Sequence, residues 1–198
     1  MGTNSTYNIL YIHIPKCAGT TIIETLNLRP PGHYKWSTHP HFGVSGYTSF
    51  AVVRNPWDRA VSCYEYARME ESYWHSTTGK SRDGKHPDYD LLKHLTFKEC
   101  VHLLDGARNR LKSGHWAPQY EYVANDDNKI MVDKIIKYET LQTELNEFLA
   151  TCNVPPAKLP VINESARRDY RSYYDDETIQ IVGNVYKEDI EMFTYKFC

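Results

Sequence analysis

Three short segments rich in apolar residues predict the strands of a buried sheet. They cover residues 7–14, 47–53 and 132–138. The core of each run contains β-branched, aromatic or aliphatic side chains, which is typical of strands with both faces covered. We therefore expect the three runs to form the core strands of one sheet.

Segments with helical spacing or helix-start signals follow the strands. The predicted helices cover residues 20–28, 55–71, 97–104, 141–150, 175–183 and 186–196. Alternation of strands and helices across short loops is typical of a parallel sheet flanked by helices. The predicted fold class is therefore α/β, with a short and mainly parallel sheet.

Polar and turn-forming residues separate these elements. Residues 32–46 and 115–118 are predicted to be loops, and residues 120–124 a short extended piece. Residues 75–88 are polar and rich in turn-forming residues, so we expect a mobile loop on the surface.

Length and composition limit the class of protein. A chain of 198 residues without a break in composition predicts a single domain over residues 1–198. The net charge of −2 excludes a globally basic protein that binds nucleic acid. The apolar runs fall far short of the roughly 18 residues that a membrane span needs, and no signal peptide precedes the first strand. We therefore expect a soluble, cytoplasmic chain with neither a nucleic-acid partner nor a membrane span.

The cysteines indicate neither a disulfide framework nor a metal site. They are Cys17, Cys63, Cys100, Cys152 and Cys198. Their number is odd and no CxxC pair is present, so reduced thiols and no structural zinc are expected.

The segment HIPKCAGTT, residues 13–21, joins the first predicted strand to the first predicted helix. Free backbone N–H groups at a helix start bind anions, and the small residues Ala18 and Gly19 let the backbone approach a ligand closely. Lys16 adds a positive charge and the two threonines add hydroxyl donors. The segment therefore predicts a phosphate-binding loop, although it is not a Walker A sequence. An ordinary strand-to-helix turn is the alternative.

The segment AVVRNPWDRAVS, residues 51–62, is a second candidate for anion binding. Arg54 follows the second strand, at the edge of a parallel sheet where ligands bind. Ser62 lies two turns into the next helix. The alternatives are a salt bridge to a helix for Arg54 and a solvent-exposed helix face for Asp58 and Arg59.

Together, PKCAGTT and VVRNPWDRAVS resemble the paired motifs of sulfotransferases that use 3′-phosphoadenosine 5′-phosphosulfate (PAPS). The resemblance is closest to the carbohydrate enzymes, which include the chondroitin 4-O- and uronyl/heparan 2-O-sulfotransferases. HWAPQ (residues 115–119) and DKIIKYETL (residues 133–141) also resemble core segments of that family. The resemblance implies a P-loop-like fold and transfer of a sulfuryl group from PAPS to a carbohydrate hydroxyl, with PAP as the product and no metal requirement.

The resemblance also implies roles for individual residues. The expected ligands of the 5′-phosphosulfate are Lys16, Cys17, Ala18, Gly19, Thr20 and Thr21. Arg54 and Ser62 are expected to bind the 3′-phosphate. Lys16 is also expected to act in catalysis, as the cation that meets the leaving phosphate.

A histidine is expected to be the general base, because an unperturbed imidazole titrates near a pKa of about 6.5. His41 is preferred, since His39-Pro40-His41 resembles the HxH that precedes the arginine strand in the heparan 2-O-sulfotransferases. The other candidates are His39, His13, His115, Glu24 and Glu139.

Some basic residues are candidates for contact with the nucleotide or with an anionic acceptor. They are Lys80, Arg82, Lys85, Arg167, Arg168 and Arg171. A solvated surface is the alternative for each of them. Two other functions remain open. One is a nucleotide kinase or NTPase-like phosphotransferase, which the missing Walker A sequence disfavours, and the other is a nucleotide-binding module without an acceptor site.

The carbohydrate relatives carry an N-terminal membrane anchor, whereas the first predicted strand begins within ten residues of Met1. We interpret the chain as a minimal enzyme of bacterial or viral type. The alternative is a shortened form of an anchored enzyme, which would place it in the Golgi lumen.

Overall fold

A computed structural model describes residues 2–29, 32–39, 46–72, 84–106, 111, 113–160 and 168–198. The chain divides into two compact units, each assembled from two separate stretches of sequence. The first unit comprises Met1–Arg54 and Pro118–Glu164, and the second comprises Asn55–Ala117 and Ser165–Cys198. A single domain over residues 1–198 stays a prediction.

The first unit contains a four-stranded mixed sheet. Its strands are β1 (Thr3–Asn4), β2 (Ile9–Ile12), β3 (Thr48–Val53) and β4 (Lys134–Lys137), in that spatial order. The pairs β2–β3 and β3–β4 are parallel, and β1 pairs antiparallel with β2. The three predicted strands are confirmed in shorter form. β1 was not predicted, because two residues are too short to show a pattern.

The core of the first unit is built on β2 and β3. All four residues of β2 are buried, and so is β3 from Ser49 onward. Phe50 packs on Tyr11 and on Phe148, with ring centroids 4.9 and 4.8 Å apart. Helices α1 (Gly19–Thr25) and α6 (Leu141–Thr151) also belong to this unit, so the α/β class is confirmed.

The expected extended piece at residues 120–124 is wrong. Tyr120–Val123 forms a short helix, α5, and only Ala124 is extended, in an isolated bridge to Ile130. Tyr122 and Val123 are both buried. Burial of these consecutive residues suits a helical turn, since a strand would direct them to opposite faces.

The second unit is mainly helical. Its helices are α2 (Pro56–Ala67), α3 (Tyr89–Leu92), α4 (Phe97–Gly106), α7 (Asp176–Val185) and α8 (Lys187–Phe193). α4 and α2 both pack against α7 around a core that includes Val61, Val101 and Val182. α2 starts as predicted, since Pro56 occupies its first turn, but it ends at Ala67 rather than residue 71.

The predicted surface loop at residues 75–88 is partly wrong. Residues 75–83 lie outside the described part of the chain, but His86 and Asp88 are buried, with 3 % and 1 % of their surface exposed. Asp88 accepts a hydrogen bond from the Trp116 indole at 3.1 Å, and His86 Nε2 lies 3.1 Å from His115 Nδ1. These polar residues are buried because they form hydrogen bonds with one another inside the unit. The polar composition of the segment does not reveal such pairing.

Within the described ranges, no helix combines the length and the apolar character that crossing a membrane requires.

Candidate active site

The loop between β2 and α1, residues 13–18, has an unusual backbone. Lys16 and Ala18 adopt the left-handed conformation, with φ of 66° and 60°. Residues other than glycine rarely do so, at a cost of roughly 1–2 kcal/mol each. Turns that combine left-handed and right-handed residues direct successive N–H groups into a concave, anion-binding surface. The backbone of this β2–α1 loop therefore suits an anionic ligand.

Gly19 follows the loop at a position where no side chain fits. A Cβ atom added to Gly19 would lie 1.8 Å from His13 Nε2. His13 is 8 % exposed and is held between Tyr11 and His33, with ring centroids 5.6 and 4.3 Å away. The absence of a side chain at Gly19 therefore lets the His13 ring lie against the backbone where α1 begins.

The remaining loop residues divide into exposed and supporting groups. Lys16, Ala18 and Thr20 are partly exposed, whereas Thr21 is buried. The Cys17 side chain is fully buried, and its thiol donates to Gln119 Oε1 at 3.3 Å. Cys17 thus supports the loop from the interior of the unit.

Arg54 joins the second predicted motif to this loop. It follows directly after β3 and is only 7 % exposed. Its Nη1 donates to the Lys16 carbonyl oxygen at 3.2 Å, and its Cζ lies 4.0 Å from the centre of the Tyr138 ring. The structure therefore brings Lys16 and Arg54 together, and the Tyr138 ring holds the guanidinium from one face.

Gln119 fixes the Arg54 backbone and was not predicted as a site residue. Its Oε1 accepts from the Arg54 N–H, and its Nε2 donates to the Arg54 carbonyl, both at 2.8 Å. Its side chain is fully buried and also accepts from the Cys17 thiol. Gln119 lies in the HWAPQ segment and Tyr138 in the DKIIKYETL segment, but neither segment indicates a contact with Arg54.

The other predicted site residues lie elsewhere or outside the described residues. Ser62 is partly buried on α2 of the second unit. His41 lies outside the described residues, and His39 is buried with its ring edge-on to Tyr34 at 5.9 Å. Glu24 and Glu139 are exposed.

His115 belongs to the second unit, in a short 3-10 helix, and its hydrogen bond with His86 has a definite direction. His86 Nδ1 accepts from the Asp88 backbone N–H at 3.1 Å. A neutral imidazole has one N–H, so His86 must donate from Nε2 to His115 Nδ1. Neutral His115 therefore carries its proton on Nε2, which is the wrong form for a base acting at that atom.

The reading of Arg59 as a solvent-exposed helix charge is wrong. Arg59 is 1 % exposed and donates to the carbonyl oxygens of His115 and Ala117, both at 2.9 Å. One acceptor lies in the short 3-10 helix Gly114–Trp116 and the other directly after it, so the buried guanidinium caps the end of this helix.

The three predicted peripheral cations that the structure describes each contact a different residue. Lys85 lies over the Tyr89 ring at 4.4 Å, and exposed Arg171 pairs with Asp169. Arg168 is also exposed, at 5.6 Å from the Tyr173 ring centre. Lys80, Arg82 and Arg167 lie outside the described residues.

No cluster of three or more potential metal-ligating side chains occurs in the described part of the chain.

Comparison with known families identifies the class of protein. A model of the Sulfotransferase family matches residues 1–196. The chain belongs to this family and is a sulfotransferase. Neither the search of curated proteins nor the search of solved structures gave a significant match.

Proposed function

We propose that this sulfotransferase transfers the sulfuryl group of PAPS to a hydroxyl group on a carbohydrate. The acceptor oxygen forms a bond to sulfur while the bond between sulfur and the 5′-phosphate oxygen breaks. The electron pair of the broken bond stays on PAP, and a base takes the hydroxyl proton. By analogy with phosphoryl transfer, the protein contributes mainly positioning and charge stabilisation.

The contact between Arg54 and Lys16 carries this proposal. The family resemblance assigns these residues to opposite ends of the donor, the 3′-phosphate and the 5′-phosphosulfate. In the first unit the Arg54 guanidinium donates to the Lys16 carbonyl at 3.2 Å. Their proximity supports one binding site that recognises both phosphate groups of a single nucleotide.

The residues present fit the donor chemically. The left-handed backbone of the β2–α1 loop suits the oxygens of a phosphosulfate, and the Lys16 ammonium would offset charge on the departing phosphate. Arg54 offers a planar fork of N–H donors, which matches a terminal phosphate. Ser62 is proposed as a further ligand of the 3′-phosphate.

The acceptor and the base rest on the motif resemblance. PKCAGTT and VVRNPWDRAVS are most similar to the carbohydrate branch, which supports a saccharide acceptor. A histidine base is proposed, with His41 as the preferred residue. The tautomer of His115 described above weakens that residue as an alternative.

A thermal-shift panel with PAP, ADP, AMP and ATP–Mg²⁺ tests the proposal. A ligand that binds only the folded protein raises Tm by mass action. We expect PAP to stabilise the wild type more than the other nucleotides, and Lys16→Ala to lose most of this shift. Lys35→Ala is the matched control, because Lys35 is an exposed lysine of the same unit whose described partner is Glu121.

Three results would contradict the proposal. A larger response to ATP–Mg²⁺ than to PAP would favour the nucleotide-kinase alternative. No response to any nucleotide would remove the donor assignment. Equal losses in Lys16→Ala and Lys35→Ala would mean that the shift reflects general charge rather than the β2–α1 loop.

A further inference from the structure

We propose that His13 is a neutral hydrogen-bond donor to the sulfate or phosphate oxygens of the bound donor, acting through its Nε2–H, and that it is not the general base. This inference rests on the proposed function, because the ligand it contacts is the phosphosulfate. His13 is then no longer a candidate for the general base.

The position of the ring is the first argument. His13 Nε2 fills the space that a Gly19 side chain would occupy, 1.8 Å from the ideal Cβ position. Gly19 follows directly after the left-handed residue Ala18 of the β2–α1 loop. Nε2 is therefore the ring nitrogen that faces the backbone segment assigned to the donor.

The opposite ring nitrogen decides where the proton lies. His13 Nδ1 is fully buried and has no hydrogen-bond partner among the described residues. A neutral imidazole must place its single proton on one of the two nitrogens. Buried N–H groups without an acceptor are rarer in proteins than buried acceptors without a donor. The proton is therefore expected on Nε2, which leaves only a lone pair in the interior.

The surroundings of the ring keep it uncharged. Burial, followed by the nearby His33 and Lys16, lowers the pKa of His13 from 6.5 to about 3. The aromatic ring of Tyr11 stacks against it and Gly19 contributes only backbone. A neutral ring with its proton on Nε2 can donate a hydrogen bond there but cannot accept a proton at that atom.

This form of histidine suits the transfer step. A hydrogen bond from Nε2–H to an anionic oxygen is charge-assisted, and it strengthens as negative charge develops on the leaving phosphate. The imidazole gains and loses no proton in the step. The hydroxyl proton goes to the separate base of the proposed reaction.

Nuclear magnetic resonance of the ¹⁵N-labelled wild-type protein tests the tautomer directly. We expect the His13 ring to show the pattern of a neutral Nε2–H imidazole at pH 7, both without ligand and with saturating PAP. PAP should shift the Nε2–H proton signal, because a new anionic acceptor faces it. A neutral Nδ1–H ring or an imidazolium in either state would overturn the assignment.

Calorimetry with PAP tests the contact. His13→Ala should weaken PAP binding about tenfold or more, since charge-assisted hydrogen bonds are among the stronger ones. His13→Gln retains an N–H donor on a side chain of similar reach and should recover part of the loss. His94→Ala is the control, since His94 is an exposed histidine of the second unit, and it should bind PAP within about twofold of the wild type.

The outcomes separate this inference from the proposed function. Wild-type protein that binds PAP, together with His13→Ala that folds and binds PAP equally well, overturns the role of His13 alone. Wild-type protein that does not bind PAP overturns both. If His13→Ala does not fold, the tautomer measured in the wild type and the affinity of His13→Gln still decide the question.

Discussion

At the scale of single residues, the site depends on side chains that bond to the backbone. Gln119 satisfies both the N–H and the C=O of Arg54, each at 2.8 Å. These two groups lie just beyond the last β3 residue, where the pairing with β4 ends. One buried amide thus fixes both the direction of Arg54 and, through the Cys17 thiol, the β2–α1 loop.

Replacing Gln119 should therefore be costly. Gln119→Leu removes the hydrogen bonds that this side chain makes to the N–H and the C=O of Arg54. Each hydrogen bond lost at a buried group costs about 1–3 kcal/mol. We expect the free energy of unfolding to fall by about 3 kcal/mol, measured by urea denaturation. Gln142→Leu is the matched control, because Gln142 also bonds one backbone N–H and one C=O but is exposed to water.

Water can replace the bonds of Gln142, so that variant should lose less than about 1 kcal/mol. Similar losses in the two variants would mean that burial of the Arg54 backbone is not the source of the cost.

At the scale of secondary-structure elements, helix starts were predicted better than helix ends. Pro56 marks the first turn of α2, and the Asn55 side chain accepts from the Trp57 N–H at 3.1 Å. These are local signals that the sequence displays. The end of α2 at Ala67 has no such signal. Met69 and Glu70 suit a helix by their residue types, but both are exposed, so burial of their side chains does not favour its continuation.

The Asn55 cap should contribute measurably to α2. Asn55→Ala removes the acceptor for the Trp57 N–H and the donor to the Lys196 carbonyl at 2.9 Å. We expect the free energy of unfolding to fall by about 1–2 kcal/mol. Urea denaturation measures this loss. Asn55→Ser keeps a capping oxygen but not the bond to Lys196, so it should lose about half as much. If Asn55→Ala leaves the free energy of unfolding unchanged, the Asn55 cap does not stabilise α2 and Pro56 alone determines where the helix begins.

At the scale of the whole molecule, the sequence predicted the class of fold and the position of the loop. Strands β2 and β3 contain continuous apolar runs, Ile9–Ile12 and Phe50–Val53, so local sequence suffices to find them. The contacts that assemble the site are not local. Gln119 and Tyr138 reach Arg54 from distant positions in the chain, and buried His86 lies in a segment that is polar throughout. A single sequence contains no signal for such pairings, because they depend on tertiary packing.

Burial of His13 should make the free energy of unfolding of the whole chain depend on pH. Burial, followed by the nearby His33 and Lys16, lowers the pKa of His13 to about 3, whereas this side chain titrates near 6.5 in the unfolded chain. Between pH 6.5 and pH 3, the His13 side chain is therefore mostly protonated in the unfolded state and mostly neutral in the folded state. Stability from this residue is fully present above pH 6.5, falls as the pH decreases toward 3 and changes no further below that value.

We expect the free energy of unfolding to decrease from pH 6 to pH 4 with a contribution of about 1.4 kcal/mol per pH unit from His13. Urea denaturation followed by circular dichroism at several pH values measures this slope. His13→Gln removes the titrating group and should flatten the curve by about that amount, whatever its stability at pH 7. Gln142→Leu, at an exposed residue that does not titrate, should retain the wild-type slope. An unchanged slope in His13→Gln would mean that the His13 ring takes up its proton equally well in the folded and unfolded states, which would contradict the lowered pKa.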